Sequence, residues 1–207
     1  MLDLAGTRLI LASASPIRRT LLENAGLVVE VRPANIDEGA IRAELAEGAE
    51  PVGPGEVARA LAVAKAAAVS SAQDDRRALV IGADQLLADD GVIFEKPGGA
   101  DAVRASLRRL RGRTHQLFSA VAVARAGGTE WSHVGRADLT MRAFDDDWLE
   151  RYIAVADEDV WGSVGGYQLE GLGVHLFEAI DGDYFTVLGL PLVALLAALR
   201  RLGGEGP

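Results

Sequence analysis

Short apolar runs alternate along the chain with segments of helical periodicity. The first run, residues 8–12, is rich in strand-forming residues and is followed at once by serines and a proline. Proline is favoured at the first helical position and serine is a common N-cap, so we expect Ser15 to cap a helix over 16–25 that Gly26 ends. A second strand is predicted over 27–31. This order of strand, tight turn, helix and strand is typical of the opening of an α/β sheet.

The rest of the chain continues the alternation, with two hairpins inserted. A strongly apolar run at 78–83 predicts a buried strand that ends at Asp84, and turn residues at 89–91 and 127–128 predict the hairpins. The glycine-rich segment 162–173 is expected to be a loop. Helices are predicted over 40–46, 56–71, 100–110, 145–154 and 190–202, and further strands over 92–94, 114–126, 129–141 and 174–180.

No internal repeat or low-complexity linker divides the chain. We therefore expect one domain over residues 1–207, an α/β fold in which a mixed, twisted sheet is flanked by helices and forms two lobes around a central cleft. A chain of 207 residues is long enough for one sizeable core or for two small lobes.

Composition narrows the classes of partner. The formal net charge of −9 argues against long nucleic acid, because such binders neutralise phosphates with basic surface. A small anionic substrate is still allowed if a local basic cluster and a metal oppose the overall field. The absence of cysteine excludes disulfides, thiolate nucleophiles and thiolate zinc sites.

The apolar segments do not predict a membrane protein. The N-terminus lacks the features of a secretory signal, and the longest apolar stretch, 188–199, is shorter than the roughly 20 residues that cross a bilayer. We expect a cytoplasmic protein with no membrane partner.

The first predicted helix offers a candidate phosphate site. Ser13 and Ser15 precede the helix, and Arg18 and Arg19 follow in its first turn. A helix N-terminus attracts anions through its unpaired N–H groups, and two hydroxyls with one or two guanidinium groups add donors suited to phosphate oxygens. An ordinary capped helix with a solvated arginine pair is the alternative.

Acidic and basic residues elsewhere could complete such a site. Asp84 follows a buried strand, and ligand sites in α/β sheets lie at the carboxyl ends of strands. Asp37 and Glu38 are paired carboxylates in a polar loop and could join Asp84 around Mg²⁺, which prefers oxygen ligands. Lys96 could neutralise phosphate as a point charge, and Lys65 interrupts an alanine-rich helix face. In the alternative interpretation, Asp84 is an ordinary turn residue at a strand end, the acidic loop is merely solvated, and both lysines are exposed on the surface.

The glycine-rich segment 165–171 places an aromatic residue and a carboxylate between glycines, which suits a loop that closely approaches a flat ligand. A plain flexible loop is the alternative. His115, His133 and His175 have no metal-ligand spacing and are expected to be structural or exposed.

An ordered set of motifs from residue 9 to about 202 resembles one known family. The strings are LILASASPIRR, IDE, LAVAKA, VIGADQ, FEKP, LRGRTH, GGYQLEGLG and GDYFTVLGLPL. In this order they resemble the Maf family of nucleotide pyrophosphatases, also called septum formation inhibitor proteins. The order of the set is far more specific than any one string.

The resemblance implies a Maf/inosine triphosphatase-like fold, a homodimer, and hydrolysis of a nucleoside triphosphate to the monophosphate and diphosphate with Mg²⁺ or Mn²⁺. An activated water would attack between the α- and β-phosphates, a reaction that depends mainly on positioning and charge stabilisation. The family's phosphate-binding residues match Ser13, Ser15 and Arg18, its metal-side acid matches Glu38, its two lysines match Lys65 and Lys96, and its proton acceptor matches Asp84.

Three positions imply a base preference. The pyrimidine branch (dTTP and UTP) carries Arg, Thr and Gln where the 7-methyl-GTP branch carries Trp, Gln and Glu. This chain has Ile17, Gln85 and Glu170, so two of the three match the 7-methyl-GTP branch. A carboxylate favours the cationic ring of 7-methylguanine, whereas Ile17 matches neither branch and cannot stack as tryptophan does. There are two alternatives. The protein could hydrolyse dTTP and UTP by the same chemistry, or it could be a regulator of septation that binds nucleotide without hydrolysing it.

Overall fold

Two long antiparallel strands and a third beside them form the centre of a mixed sheet. The computed structural model describes residues 6–48, 51–156 and 158–203, and within them the sheet has seven strands in the order β2-β1-β3-β5-β6-β7, with β4 paired to β3. The strands are β1 Leu9–Leu11, β2 Val29–Val31, β3 Leu79–Asp89, β4 Val92–Phe94, β5 Thr114–Arg125, β6 Gly128–Met141 and β7 Phe177–Asp181. β1 runs parallel to β2 and β3, and the other pairs are antiparallel.

Helices pack on the sheet and close its ends. They are α1 Pro16–Asn24, α2 Glu38–Ala46, α3 Pro54–Ser71, α4 Ala100–Leu110, α5 Asp146–Val155, α6 Glu158–Trp161, α7 Tyr184–Val187 and α8 Leu192–Gly203. Two 3₁₀ helices, Val164–Gly166 and Leu172–Leu176, lie in the glycine-rich region. The predicted mixed α/β sheet is confirmed.

Both hairpins are present. Asp90 and Gly91 have φ of 56° and 79°, the left-handed pair that a two-residue hairpin turn requires. In the second hairpin the same conformation falls on Ala126 and Gly127, at 53° and 88°. That turn therefore lies one residue earlier than the glycine pair indicated, and Gly128 begins β6.

The largest difference from the sequence-based expectation is the length of β3. The strand continues through Asp84 to Asp89 instead of ending at Asp84, because the residues after Gln85 are again apolar and buried. Asp84 therefore lies in the middle of a strand, and its carboxylate is placed by the pairing of β3 with β5 opposite Ala120.

The segment after the glycine-rich region also differs. A strand was expected over 174–180, but a 3₁₀ helix occupies Leu172–Leu176 and β7 begins only at Phe177. The short helix α7 was not predicted, since four residues give too little periodicity to show in a sequence. Its N-cap is Asp183, whose side chain accepts from the Thr186 N–H.

Buried residues form four groups within the described part of the chain. In the two largest groups, Leu79 and Ile81 of β3 pack with α1 and α8, whereas Leu87 packs with α4 and α5. Asp84 and Gln85 lie on β3 between the residues of these two groups.

Among the described residues, no helix combines the length and the apolar character that crossing a membrane would require.

Candidate active site

The site begins with a close approach of helix α3 to strand β3. A Cβ atom on Gly82 would lie 2.2 Å from the carbonyl oxygen of Ala62 and 2.6 Å from the backbone nitrogen of Ala66. Only glycine fits there. Successive side chains alternate across a strand, so Asp84 shares the face of Gly82 and meets Lys65 on α3.

Lys65 joins two carboxylates from different elements. Its Nζ lies 2.6 Å from Oδ1 of Asp84 and 2.8 Å from Oε1 of Glu38, the first residue of α2. The Lys65 and Asp84 side chains are 13% and 9% exposed, whereas Glu38 is 43% exposed. The cluster therefore extends from the buried carboxylate of Asp84 on β3 to the solvent-exposed carboxylate of Glu38 on α2.

One oxygen of Asp84 has no hydrogen-bond partner within the described part of the chain. Oδ2 is buried and unpaired, whereas Oδ1 accepts from Lys65. A buried acceptor without a partner costs about 1–3 kcal/mol. Oδ2 is therefore a position where a cation or a water molecule would be stabilised.

The carboxylates fit a divalent metal that the substrate helps to bind. No group of three or more His, Cys, Asp or Glu side chains suited to a metal occurs among the described residues. Mg²⁺ is commonly held by one or two carboxylates together with phosphate oxygens and waters. Glu38 and the open Oδ2 of Asp84 match that donor set.

Charges around Glu38 keep it ionised. Burial raises the pKa of Glu38, but the hydrogen bond from Lys65 and the positive charges of Lys65, Arg42 and Lys96 outweigh burial, so the pKa lies below its ordinary value. The charge of Lys96, which is exposed after β4, therefore acts on the cluster. The site combines two anionic groups with the local cations that a phosphate substrate requires.

Arg18 is held from three sides beside this cluster. Its Nε donates to the Gly189 carbonyl at 2.8 Å, and its Nη1 donates to Ser13 Oγ and to the Ala83 carbonyl, both at 3.0 Å. Burial lowers the pKa of Arg18, and the charges of Asp84 and Glu38 oppose that effect. An arginine retains its charge even so, which fixes a cation next to Asp84.

Ser15 occupies the N-cap position of α1, as predicted, but its side chain makes no capping hydrogen bond. Its backbone N–H points at Ser13 Oγ, 3.3 Å away. The Ser15 hydroxyl is therefore not used by the helix.

Gln85 lies on the opposite face of β3 from Asp84. Its Nε2 donates to Ser119 Oγ and the Val187 carbonyl, each at 2.9 Å, with the Thr186 carbonyl at 3.3 Å. These contacts direct the amide towards α7.

Ile17 and Glu170, the other two residues predicted to select the base, lie in surroundings that differ from those of Gln85. Ile17 is half-buried and packs on the apolar group shared by α1 and α8. Glu170 is exposed in the turn that precedes the second 3₁₀ helix. The structure thus brings together Ser13, Arg18, Glu38, Lys65 and Asp84, and within its described part no hydrogen bond or ion pair joins Glu170 to them.

The glycine-rich segment is anchored by a buried pair of rings. Tyr167 Oη lies 2.7 Å from His115 Nε2, and neither residue is more than 5% exposed. Gly165 and Gly166 have positive φ and no room for a Cβ, against Leu87 and Val103 respectively. This part of the segment is therefore packed. His115 was expected to be either structural or exposed, and it is buried and structural.

Gly82 and Gly189 are contributors that sequence reasoning did not single out. Gly82 carried a usable signal, since a glycine inside an apolar strand often marks a close backbone approach. Gly189 contributes its carbonyl oxygen to Arg18 from 171 residues away, and no local pattern reports such a contact.

Known proteins match the chain over almost its full length. The sequence profile described as Maf, Maf-like protein, covers residues 8–202. A 7-methyl-GTP pyrophosphatase from Mesorhizobium japonicum is 48% identical over 196 residues, covering 95% of this chain and 96% of that protein. A nucleoside triphosphate pyrophosphatase from Caulobacter vibrioides is 49% identical over 197 residues, with the same coverage of 95% and 96%.

Among solved structures, a HAM1 protein from Coxiella burnetii is similar with a TM-score of 0.46 and 12% identity, covering 95% of this chain and 96% of that one. The sequence matches are much stronger, and they cover every residue of the cluster around Lys65. This chain belongs to the Maf family.

Proposed function

We propose that the protein hydrolyses a nucleoside triphosphate between its α- and β-phosphates and releases the monophosphate and diphosphate. The observation that carries the proposal is the placement of Lys65 between Asp84 and Glu38, with the half-buried Arg18 beside them. Cations and carboxylates at this spacing can bind a polyphosphate and stabilise the charge that develops in transfer. The names of the Mesorhizobium and Caulobacter relatives support the same reaction.

The basic residues bind and orient the phosphates. Arg18 holds a fixed direction because two backbone carbonyls and Ser13 accept from it. Ser15 adds a hydroxyl at the helix N-terminus, which itself favours anions. The positive charges of Lys65 and Lys96 both act on Glu38.

A divalent cation, Mg²⁺ or Mn²⁺, completes the proposal. Glu38 and Asp84 would hold it, the latter through the unpaired Oδ2. When bound, such an ion neutralises phosphate charge and polarises the reacting phosphoryl group. Asp84 then serves either as a ligand or as the acceptor of a proton from the attacking water.

The substrate we propose is a modified purine nucleotide of the 7-methyl-GTP kind. Glu170 supplies a carboxylate at an exposed turn, which favours a cationic base over a neutral one. The Mesorhizobium relative carries that activity in its name. We further propose a cytoplasmic homodimer, as the family resemblance implies; sedimentation of the purified chain at twice its mass tests the dimer.

Product analysis tests the reaction directly. Incubation of 7-methyl-GTP with the full chain and Mg²⁺, followed by ³¹P NMR, should show one diphosphate per nucleoside monophosphate. Accumulation of nucleoside diphosphate and orthophosphate would instead show cleavage between the β- and γ-phosphates and would overturn the proposal.

A further inference from the structure

The donor capacity of the Gln85 amide is fully used inside the protein. An amide nitrogen has two N–H donors, and Nε2 faces three acceptors, on Ser119, Thr186 and Val187. Ser119 Oγ itself donates to the Thr186 carbonyl at 2.6 Å, so its oxygen is left to accept from Gln85. The opposite amide orientation would set Oε1 against these oxygens, and it is therefore excluded.

The acceptors belong to a turn that is tightly packed. Thr186 is 1% exposed, and both its N–H and its hydroxyl bond to Asp183, the N-cap of α7. A Cβ on Gly135 would lie 2.5 Å from Thr186 Oγ1. The turn is thus pressed against β6 on one side and fastened to β3 by Gln85 on the other.

The same turn ends at the residue that holds Arg18. The Gly189 N–H donates to the Thr186 carbonyl at 3.0 Å, and the Gly189 carbonyl accepts from Arg18 Nε at 2.8 Å. Gly189 has φ of 89°, and its surroundings include both Gln85 Oε1 and the Arg18 guanidinium. A continuous path of hydrogen bonds therefore runs from Ser119 through Gln85 and the α7 turn to Arg18.

We propose that Gln85 is a positioning residue that fixes Arg18 for phosphate binding by fastening the α7 turn. This inference rests on the proposed function for its meaning in catalysis.

The first test uses inorganic tripolyphosphate, which has no base. Gln85→Thr installs the residue of the pyrimidine branch, and Gln85→Met removes the donors while keeping the volume. Calorimetry of the full chain with Mg²⁺ should show affinity for tripolyphosphate falling by about tenfold in both, as the loss of one well-placed charged contact predicts. Gln116→Thr on β5, whose amide bonds only to Asp138 in the described structure, is the matched control and should bind as the wild-type chain does.

Unchanged affinity for tripolyphosphate in Gln85→Thr and Gln85→Met would overturn the proposal.

A double-mutant cycle with Arg18→Lys tests whether Gln85 acts through Arg18. If Gln85 acts only through Arg18, then Gln85→Met should change tripolyphosphate affinity less than twofold once Arg18 is lysine. Additive effects of the two substitutions would show that Gln85 acts elsewhere and would reject the inference.

A readout without substrate separates this inference from the proposed function. The Arg18 Nε–H should exchange slowly with water in ¹⁵N NMR and at least about tenfold faster in Gln85→Met, since its acceptor is no longer held. Equal exchange rates would overturn the positioning role. Faster exchange in a protein that hydrolyses no triphosphate would retain the role of Gln85 and refute the proposed function alone.

Discussion

The two carboxylate oxygens of Asp84 differ in their hydrogen bonding. Oδ1 accepts from Lys65, whereas the buried Oδ2 has no partner in the described structure. The sequence predicted this residue as part of the site but placed it at a strand end. Its position in mid-strand arises because apolar residues resume after Gln85 and extend β3 to Asp89.

Replacing Asp84 by asparagine tests its part in the reaction. Asparagine keeps an oxygen for Lys65 but removes the charge that a metal or a proton would need. We expect kcat to fall at least ~10²-fold, as for loss of a general base or ligand. Asp138→Asn, on β6 and paired with Arg136, is the control and should keep its rate. Near-wild-type turnover of Asp84→Asn would remove Asp84 from the mechanism.

Glu170 is tested by its amide. Glu170→Gln keeps the shape and removes the charge, so the preference for 7-methyl-GTP over GTP should fall by about tenfold while turnover of GTP is retained. Glu178→Gln, an exposed carboxylate on β7, serves as the control. An identical substrate ratio in Glu170→Gln would reject its role in recognising the cationic base.

At the scale of elements, the contact of α3 with β3 positions the cluster. The sequence predicted both elements, because an alanine-rich periodic segment and an apolar run are strong signals. It did not predict their distance, which depends on Gly82 lying beneath Ala62 and Ala66. Tertiary packing of small residues is not visible in a one-dimensional pattern, and the same holds for the α7 turn that supports Arg18.

The substitution Gly82→Ala tests that contact. A Cβ in this position would overlap the α3 backbone, so the helix must move away from the strand and carry Lys65 with it. We expect a loss of unfolding free energy of about 1–3 kcal/mol or more, measured in urea, with a parallel loss of turnover. Gly99→Ala, where nothing lies within 4 Å, should leave both values unchanged. Wild-type stability in Gly82→Ala would contradict the close approach.

At the scale of the whole molecule, an acidic protein presents a small cationic site. The net charge of −9 would repel a polyphosphate. Arg18 and Lys65 oppose that field beside Asp84, and the charge of Lys96 acts on Glu38. The mixed α/β architecture followed from the sequence pattern. The clustering of these cations, which are separated by 31 positions or more, followed only from the family resemblance until the fold placed Arg18 and Lys65 beside Asp84.

The buried His115 should make the stability of the molecule depend on pH. Burial lowers the pKa of His115 to about 4, against a weaker opposing effect of the Asp89 charge, while in the unfolded chain it is about 6.5. The folded protein therefore binds fewer protons between these values. The contribution of neutral His115 to the unfolding free energy is therefore fully present above about pH 6.5. Roughly 3 kcal/mol of unfolding free energy is lost as the pH falls towards 4.

Urea unfolding at pH 7.5 and pH 4.5 measures this contribution. In His115→Gln, where an amide replaces the imidazole beside Tyr167, the loss of stability on acidification should be smaller by about 2–3 kcal/mol than in the wild-type chain. His133→Gln, an exposed histidine on β6, should behave as wild type. Equal losses in all three proteins would show that His115 does not titrate between the two states as described.

Diphosphate release by the wild-type chain with Mg²⁺ or Mn²⁺, measured across 7-methyl-GTP, GTP, dTTP, UTP, CTP and ATP, tests the proposed reaction and the proposed substrate together. We expect release of diphosphate, with 7-methyl-GTP as the preferred substrate. Preference for dTTP and UTP would contradict the base assignment and retain the chemistry, whereas no release from any of the six would contradict the proposed reaction itself.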